Sequence, residues 1–276
     1  MRAIMRRLAR NKLSVAGLIL FSIIMLIALL APWIAPYPYA EMNSHRVLEG
    51  PSADHWLGTD HLGRDVLSRL MIGARYSLTL GILSVLGANV IGILIGALAG
   101  FYGGIREEVI MRILDIVQSI PNTLLTITVA TVFGAGFMNT ILALSVAFMP
   151  NVARGVRSVV ISIRNNEYLE AAEASNCSTA RKILTHILPN SMSYIIVNFT
   201  MMTAFAILLA TSLSFIGLGV QPPTPEWGAM LIGARNHIRD HAYLLIFPGI
   251  CIGLTVLSLN LLGDGLRDAM DPKLRK

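Results

Sequence analysis

An all-α membrane protein with six transmembrane helices and one cytoplasmic helix-turn-helix loop is predicted by three observations. The 276 residues are 54% hydrophobic and only 14% charged, with a mean hydropathy of +0.65, whereas a soluble domain carries about 25% charged residues. The charges are clumped: residues 13–40, 76–105, 116–153, 183–225 and 242–263 contain no Asp, Glu, Lys or Arg. A bilayer-spanning helix needs about 20 mostly apolar residues, so every window has room for a span. Finally, Lys and Arg collect on alternate sides of these windows, as the positive-inside rule requires.

The first span, Leu13–Ala31, is too long for the apolar core of a signal peptide. No small-residue cleavage site follows it, so it is read as an uncleaved helix. The second, Leu78–Phe101, carries Gly92, Gly96 and Gly100 at four-residue spacing, a pattern that lets helices pack closely within one subunit. The third, Val109–Phe133, contains Asp115 and Gln118 ahead of Pro121. A charged group inside a span points to function, and a local ion pair with Arg112 is the competing explanation. The fourth, Thr140–Val152, is the shortest; Met192–Phe215 and Leu244–Leu262 complete the set. Helices are expected throughout because lipid offers no partners for open backbone groups, and the alternating ten-residue segments of a barrel are absent.

Arg2, Arg6, Arg7, Arg10 and Lys12 precede the first span and place the N-terminus in the cytoplasm. The cytoplasmic side then holds 16 of the 22 basic residues, against Arg46, Arg64, Arg69, Arg75, Arg235 and Arg239 outside. This asymmetry accounts for the net charge of +6 without nucleic-acid binding. The expected organisation is a cytoplasmic segment 1–12, a transmembrane domain 13–265 and a cytoplasmic tail 266–276. Within the domain lie external loops at 32–75 and 216–243 and an inward loop at 155–190. Cys177 and Cys251 fall in that inward loop and in the last span, neither of which suits a disulfide.

The inward loop contains "EYLEAAEASNCSTARKILTHILPN", Glu167 to Asn190. Asn166 can cap a helix whose first turn carries acids at its positive end. Tyr168, Ala171, Ala172 and Ser175 recur at helical spacing as one mostly small face, flanked by Glu167, Glu170 and Glu173. Asn176 breaks the run, since Asn tolerates the left-handed backbone of a helix C-terminus. Ser178 can cap a second short helix, expected to end near Pro189. An ordinary solvated hairpin is the bland alternative. It leaves unexplained an Ala-rich face turned to water and the cations Arg181 and Lys182 at a helix start, which an outside partner would explain.

These residues resemble the EAA loop of ABC-importer permeases, E-A-A-x3-G-x9-I-x-L-P. Glu170, Ala171, Ala172, Leu188 and Pro189 fall on the pattern, with Asn176 in place of Gly and His186 in place of Ile. "HWLGTDHLGRDVLSRLMIGARYSL", "MRILDIVQSIP", "SFIGLGVQPPTPEWGAML" and "GDGLRDAMDPKLR" are similar to segments of the dipeptide, oligopeptide and nickel branch, most like its second permease. The resemblance covers most of the chain after residue 50 and implies a type I ABC-importer fold. It also implies that the loop is a coupling helix seated on an ATPase, with Tyr168, Glu170, Ala171, Ala172, Ser175, Asn176 and Arg181 at the contact. Glu170 is the acid that would pair with a basic residue of that subunit.

The partners implied by the resemblance are two cytosolic ATP-binding subunits carrying ATP and magnesium, a second permease that is a different chain, and an extracytoplasmic substrate-binding protein. No cofactor is expected on this chain, and no catalytic residue: G-x-x-x-x-G-K-[ST], G-x-S-x-G, H-E-x-x-H and C-x-x-C are all missing. The implied cargo is di- or oligopeptides, with nickel or a metal chelate as the alternative within the family. An ion-coupled secondary transporter or channel is the alternative of a different class. It would need more buried ionisable groups than the lone Asp115.

On the outer side, Asp54, His55, Asp60, His61 and Asp65 have metal-ligand chemistry but no metal-site spacing. A turn region bent by Gly58 and Gly63 is the better reading, with Asp65 and Arg69 opening the second helix as an i,i+4 pair. By resemblance, Asp60, Arg64 and Asp65 lie where a binding protein docks. Pro223, Glu226 and Trp227 belong to a proline-stiffened loop, read either as a rigid outer cap or as an outer gate folded toward the path.

Overall fold

The computed structural model describes residues 7–164, 166–169 and 175–270, and these are helical with no strand among them. Helix α1 spans Lys12–Ile34 and starts on Asn11, whose side chain accepts from the Leu13 and Ser14 amides. Helix α2, Val66–Tyr102, runs well beyond its predicted span. Asp65 caps it, accepting from the Ser68 amide at 2.7 Å. Helix α5, Phe137–Arg164, likewise continues past its predicted span and delivers the chain to the elbow. The last helix, Tyr243–Met270, closes against α1.

The third span is not one helix. It divides into α3, Gly104–Gln118, and α4, Asn122–Phe133, bent by 82° at Ser119–Pro121. Pro121 can neither donate to the turn before it nor leave Ile120 freely helical, and neighbouring polar side chains tolerate the break. With this pair counted as one crossing, the described residues contain six candidate spans.

A second expectation also changes. The helix after Ser178 does not stop at Pro189. Helix α6, Thr179–Lys182, passes through a π-turn, Ile183–Ile187, directly into α7, Leu188–Phe215. The turn lets the Leu188 amide reach back to the Ile183 carbonyl, so Pro189 falls in the first turn of α7, where no amide hydrogen is needed. Asn190 and Ser191 side chains bond the His186 and Ile187 carbonyls beside it.

Helix α2 lies along α5 more extensively than any other pair in the fold. The glycine stripe is the reason. A Cβ on Gly92 would stand 2.7 Å from Val152, one on Gly100 2.8 Å from Val160, and one on Gly96 2.3 Å from the Ala153 carbonyl oxygen. The spacing serves packing within the subunit, as expected. Gly96→Ala is therefore predicted to cost about 1–3 kcal/mol despite the better helix propensity of alanine. Thermal unfolding of the purified variant in detergent measures this, and an unchanged midpoint would contradict the packing argument.

Candidate functional site

The described part of the elbow between α5 and α7 rests on three helices at once. Leu169 is buried against Ile183 and Ile187, in the core that also holds Val156 and Val160 of α5. Arg164 donates to the Gly100 carbonyl at the end of α2 at 3.0 Å. Tyr168 stays exposed, its ring 6.4 Å from His186, and its hydroxyl accepts from Asn190 at 3.4 Å. Asn176 has φ of 54°, the left-handed conformation that a glycine would otherwise supply. Ser178 accepts from the Arg181 amide and caps α6. The described part of the elbow is thus in contact with α2, α5 and α7.

Arg181 is exposed, but Lys182 is 7% exposed with Nζ 5.4 Å above the Phe101 ring, so its charge is accommodated within the chain rather than by an outside partner. Glu170, Ala171, Ala172 and Glu173 lie outside the described residues.

Asp115 does not pair with Arg112. It accepts from Arg154 of α5 at 2.6 Å, and both side chains are 49% exposed. One turn further on, Gln118 donates to Asn151 at 2.6 Å, and toward the C-terminal end of α5 Arg157 bonds Glu107 through its Nε at 2.6 Å. Three polar rungs therefore hold α3 on α5, where α3 buries only Leu114. Asn151, Arg154 and Arg157 are not among the residues singled out from the sequence. Their recurrence every three residues on one face of an otherwise apolar helix was the available signal. Arg154→Glu is predicted to lower transport about tenfold, equivalent to about 1.4 kcal/mol of lost coupling, and Asp115→Lys in the same chain to restore most of it. Uptake by the two single variants and the double variant decides the point.

At the opposite end of the fold from the elbow, the residues singled out from the sequence are mostly buried and hold one another. Asp60 accepts from the Leu62 and Arg64 amides and from the Arg64 guanidinium at 2.7 Å, with Arg69 at 3.5 Å. Asp65 does not pair with Arg69. Its second oxygen meets His55 Nδ1 at 2.9 Å. Gly58 and Gly63 take positive φ, and a Cβ at Gly63 would fall 1.9 Å from the Asn43 carbonyl oxygen. Among the described residues, no cluster of three or more His, Cys, Asp or Glu side chains gathers for a metal.

The proline loop is pinned into the same layer. Arg69 donates to the carbonyls of Tyr39 and of exposed Pro223, at 3.0 and 3.5 Å. Glu226, 1% exposed, caps helix α8, Trp227–Ala234. It accepts from the Ala229 amide at 2.9 Å and from Ser77 of α2 at 3.1 Å. Trp227, 2% exposed, donates from its indole to the Leu70 carbonyl at 3.1 Å. Burial pushes the Glu226 carboxyl above its ordinary pKa, while bonds from Gly228, Ala229, Ser214 and Ser77 oppose the shift. The loop is a braced cap. The serines were not legible in the sequence because nothing local sets them apart from other hydroxyls in spans.

Residues 92–276 match the family described as the inner membrane component of binding-protein-dependent transport systems, and residues 1–51 match the N-terminal transmembrane domain of oligopeptide transport permease C. The chain belongs to this permease family. The permease is 44% identical over 270 residues to the dipeptide transport system permease protein DppC of Alkalihalophilus pseudofirmus, covering 98% of this chain and 89% of the relative. It is 44% identical to the glutathione transport system permease protein GsiD of Pectobacterium atrosepticum, covering 98% and 90%. It is 43% identical to the di/tripeptide transport system permease protein DppC of Pseudomonas aeruginosa, covering 97% and 90%. The permease is a multi-pass membrane subunit of a binding-protein-dependent transport system, not an enzyme, and this sets aside the solitary ion-coupled transporter or channel.

Proposed function

We propose that this permease imports di- or oligopeptides as half of a pore shared with a second, different permease. Two cytosolic ATP-binding subunits, which hold the ATP and magnesium, drive it through Tyr168, Glu170, Ala171, Ala172, Ser175, Asn176 and Arg181. The observation that carries the reading is the elbow itself. A loop with the EAA spacing is braced on α2, α5 and α7, so an ATPase moving it moves the helices around the path. The peptide assignment is supported by the relatives, whose names specify dipeptide, di/tripeptide or glutathione transport.

In this reading residues 1–12 and 266–276, with both termini, lie in the cytoplasm. The transmembrane domain is 13–265, the elbow 155–190 faces inward, and the loops 32–75 and 216–243 face outward in the bacterial inner membrane. Asp115 and Gln118, with their partners Arg154 and Asn151, line the inner part of the path, because half-exposed ionic groups are costly against lipid. Asp60, Arg64, Asp65, Pro223, Glu226 and Trp227 shape the outer cap that receives the binding protein. Mild extraction of the tagged permease is expected to bring down two ATP-binding subunits and a second permease. Ligand mass spectrometry of the associated binding protein is expected to return peptides. A chain that purifies alone and transports in liposomes would overturn the assembly, and nickel in the binding protein would overturn the cargo.

A further inference from the structure

A cavity of about 710 Å³ opens beside the outer end of α2, lined by Tyr37, Tyr39, Arg75, Tyr76, Thr79 and Phe137 among others. Arg75 is exposed there and has no hydrogen bond or ion pair to any described residue. Around it are the three tyrosines, and Trp33, 80% exposed, follows cavity-lining Pro32. Tyr and Trp in such a ring mark the level of lipid headgroups.

Below the cavity the same face of α2 changes character. Ile72, Arg75, Tyr76 and Thr79 continue at helical spacing into Leu83, Leu86, Val90 and Leu94, all four exposed. At 1.5 Å per residue the Leu83–Leu94 stretch is about 16 Å long, close to the ~15 Å depth of hydrocarbon in one leaflet. A path for hydrophilic peptides would not be lined by about three turns without a polar group, and the polar rungs lie elsewhere, on α3 and α5. A free cation at headgroup level above an apolar strip one leaflet deep matches an amphiphile with an anionic head.

We propose that this cavity holds the phosphodiester headgroup of an anionic phospholipid on Arg75, with an acyl chain along Leu83–Leu94. The site stands on its own geometry; only its assignment to the outer leaflet rests on the orientation given above.

Trp33 supplies the readout. The full-length permease is placed in nanodiscs of phosphatidylcholine containing either brominated phosphatidylglycerol or, at the same mole fraction, brominated phosphatidylcholine. Trp33→Phe identifies its share of the fluorescence. Brominated phosphatidylglycerol is expected to quench Trp33 with about fivefold higher apparent affinity than brominated phosphatidylcholine. Arg75→Gln is expected to remove that preference and Arg75→Lys to keep most of it. Because Arg75 is exposed and unpartnered, the variants leave the fold intact, as circular dichroism will verify. Equal quenching by the two lipids, or an undiminished preference in Arg75→Gln, overturns the proposal. So does loss of the preference on adding inorganic phosphate, which assigns the site to a small free anion. Loss on adding dialanine would place the cavity on the transport path and overturn it equally.

Discussion

Glu170→Lys is expected to stop transport while leaving the permease inserted and correctly folded. In the proposed function the described part of the elbow is braced on three helices, so work delivered there reaches all of them. In the proposed coupling contact, Glu170 is the acid that would meet a basic residue of the ATPase. Removing one member of a desolvated charge pair costs about 2–5 kcal/mol, and a lysine adds like-charge repulsion to that loss. Transport should therefore fall by at least about 30-fold, with ATPase retention reduced in parallel. Uptake by cells expressing equal amounts of wild-type and variant protein measures the first, and quantitative co-purification the second. Import at the normal rate by the lysine variant would remove Glu170 from the coupling contact.

Glu226→Ala is the second large effect, and it acts on the fold rather than on coupling. The alanine leaves the Ala229 amide and the Ser77 hydroxyl without their buried acceptor, and each orphaned group costs about 1–3 kcal/mol. With the void added, a loss of about 3–5 kcal/mol is expected, a large share of the stability of any protein. Glu226→Gln keeps the shape and an acceptor for Ala229, so it should fold. The two also differ in pH dependence. A carboxyl whose pKa is raised on folding binds its proton more tightly in the folded state. Its contribution is complete below the unfolded pKa and is lost as pH rises through the folded pKa. Thermal midpoints of the wild type should decline over that rise, and those of Glu226→Gln should decline less. Parallel pH profiles for the two proteins would show that Glu226 is ionised throughout and that burial does not govern it.

How much was legible beforehand differs from one part to the next. The left-handed turn at Asn176, the cap at Ser178 and the positive-φ bends at Gly58 and Gly63 are decided by backbone sterics within a few residues, and they stand as expected. The Gly92, Gly96 and Gly100 stripe was equally local in its logic. Pairing across helices was another matter. Asp65 and Asp115 each had a basic neighbour at helical spacing, yet each bonds a residue remote in the chain or on another segment, His55 and Arg154. Pro189 was expected to end a helix, but a π-turn absorbed it. A proline restricts the backbone without dictating whether the chain turns away or relaxes around it.

Hydropathy alone was sufficient for an all-helical membrane protein and its candidate crossings, because the bilayer acts on each segment separately. The 82° break of the third span, the three polar rungs that join α3 to α5 and the burial of Glu226 against Ser77 required the assembled fold. Each of these depends on which side chains from distant parts of the chain arrive opposite one another. That is settled by helix packing, for which neighbours in sequence carry no record.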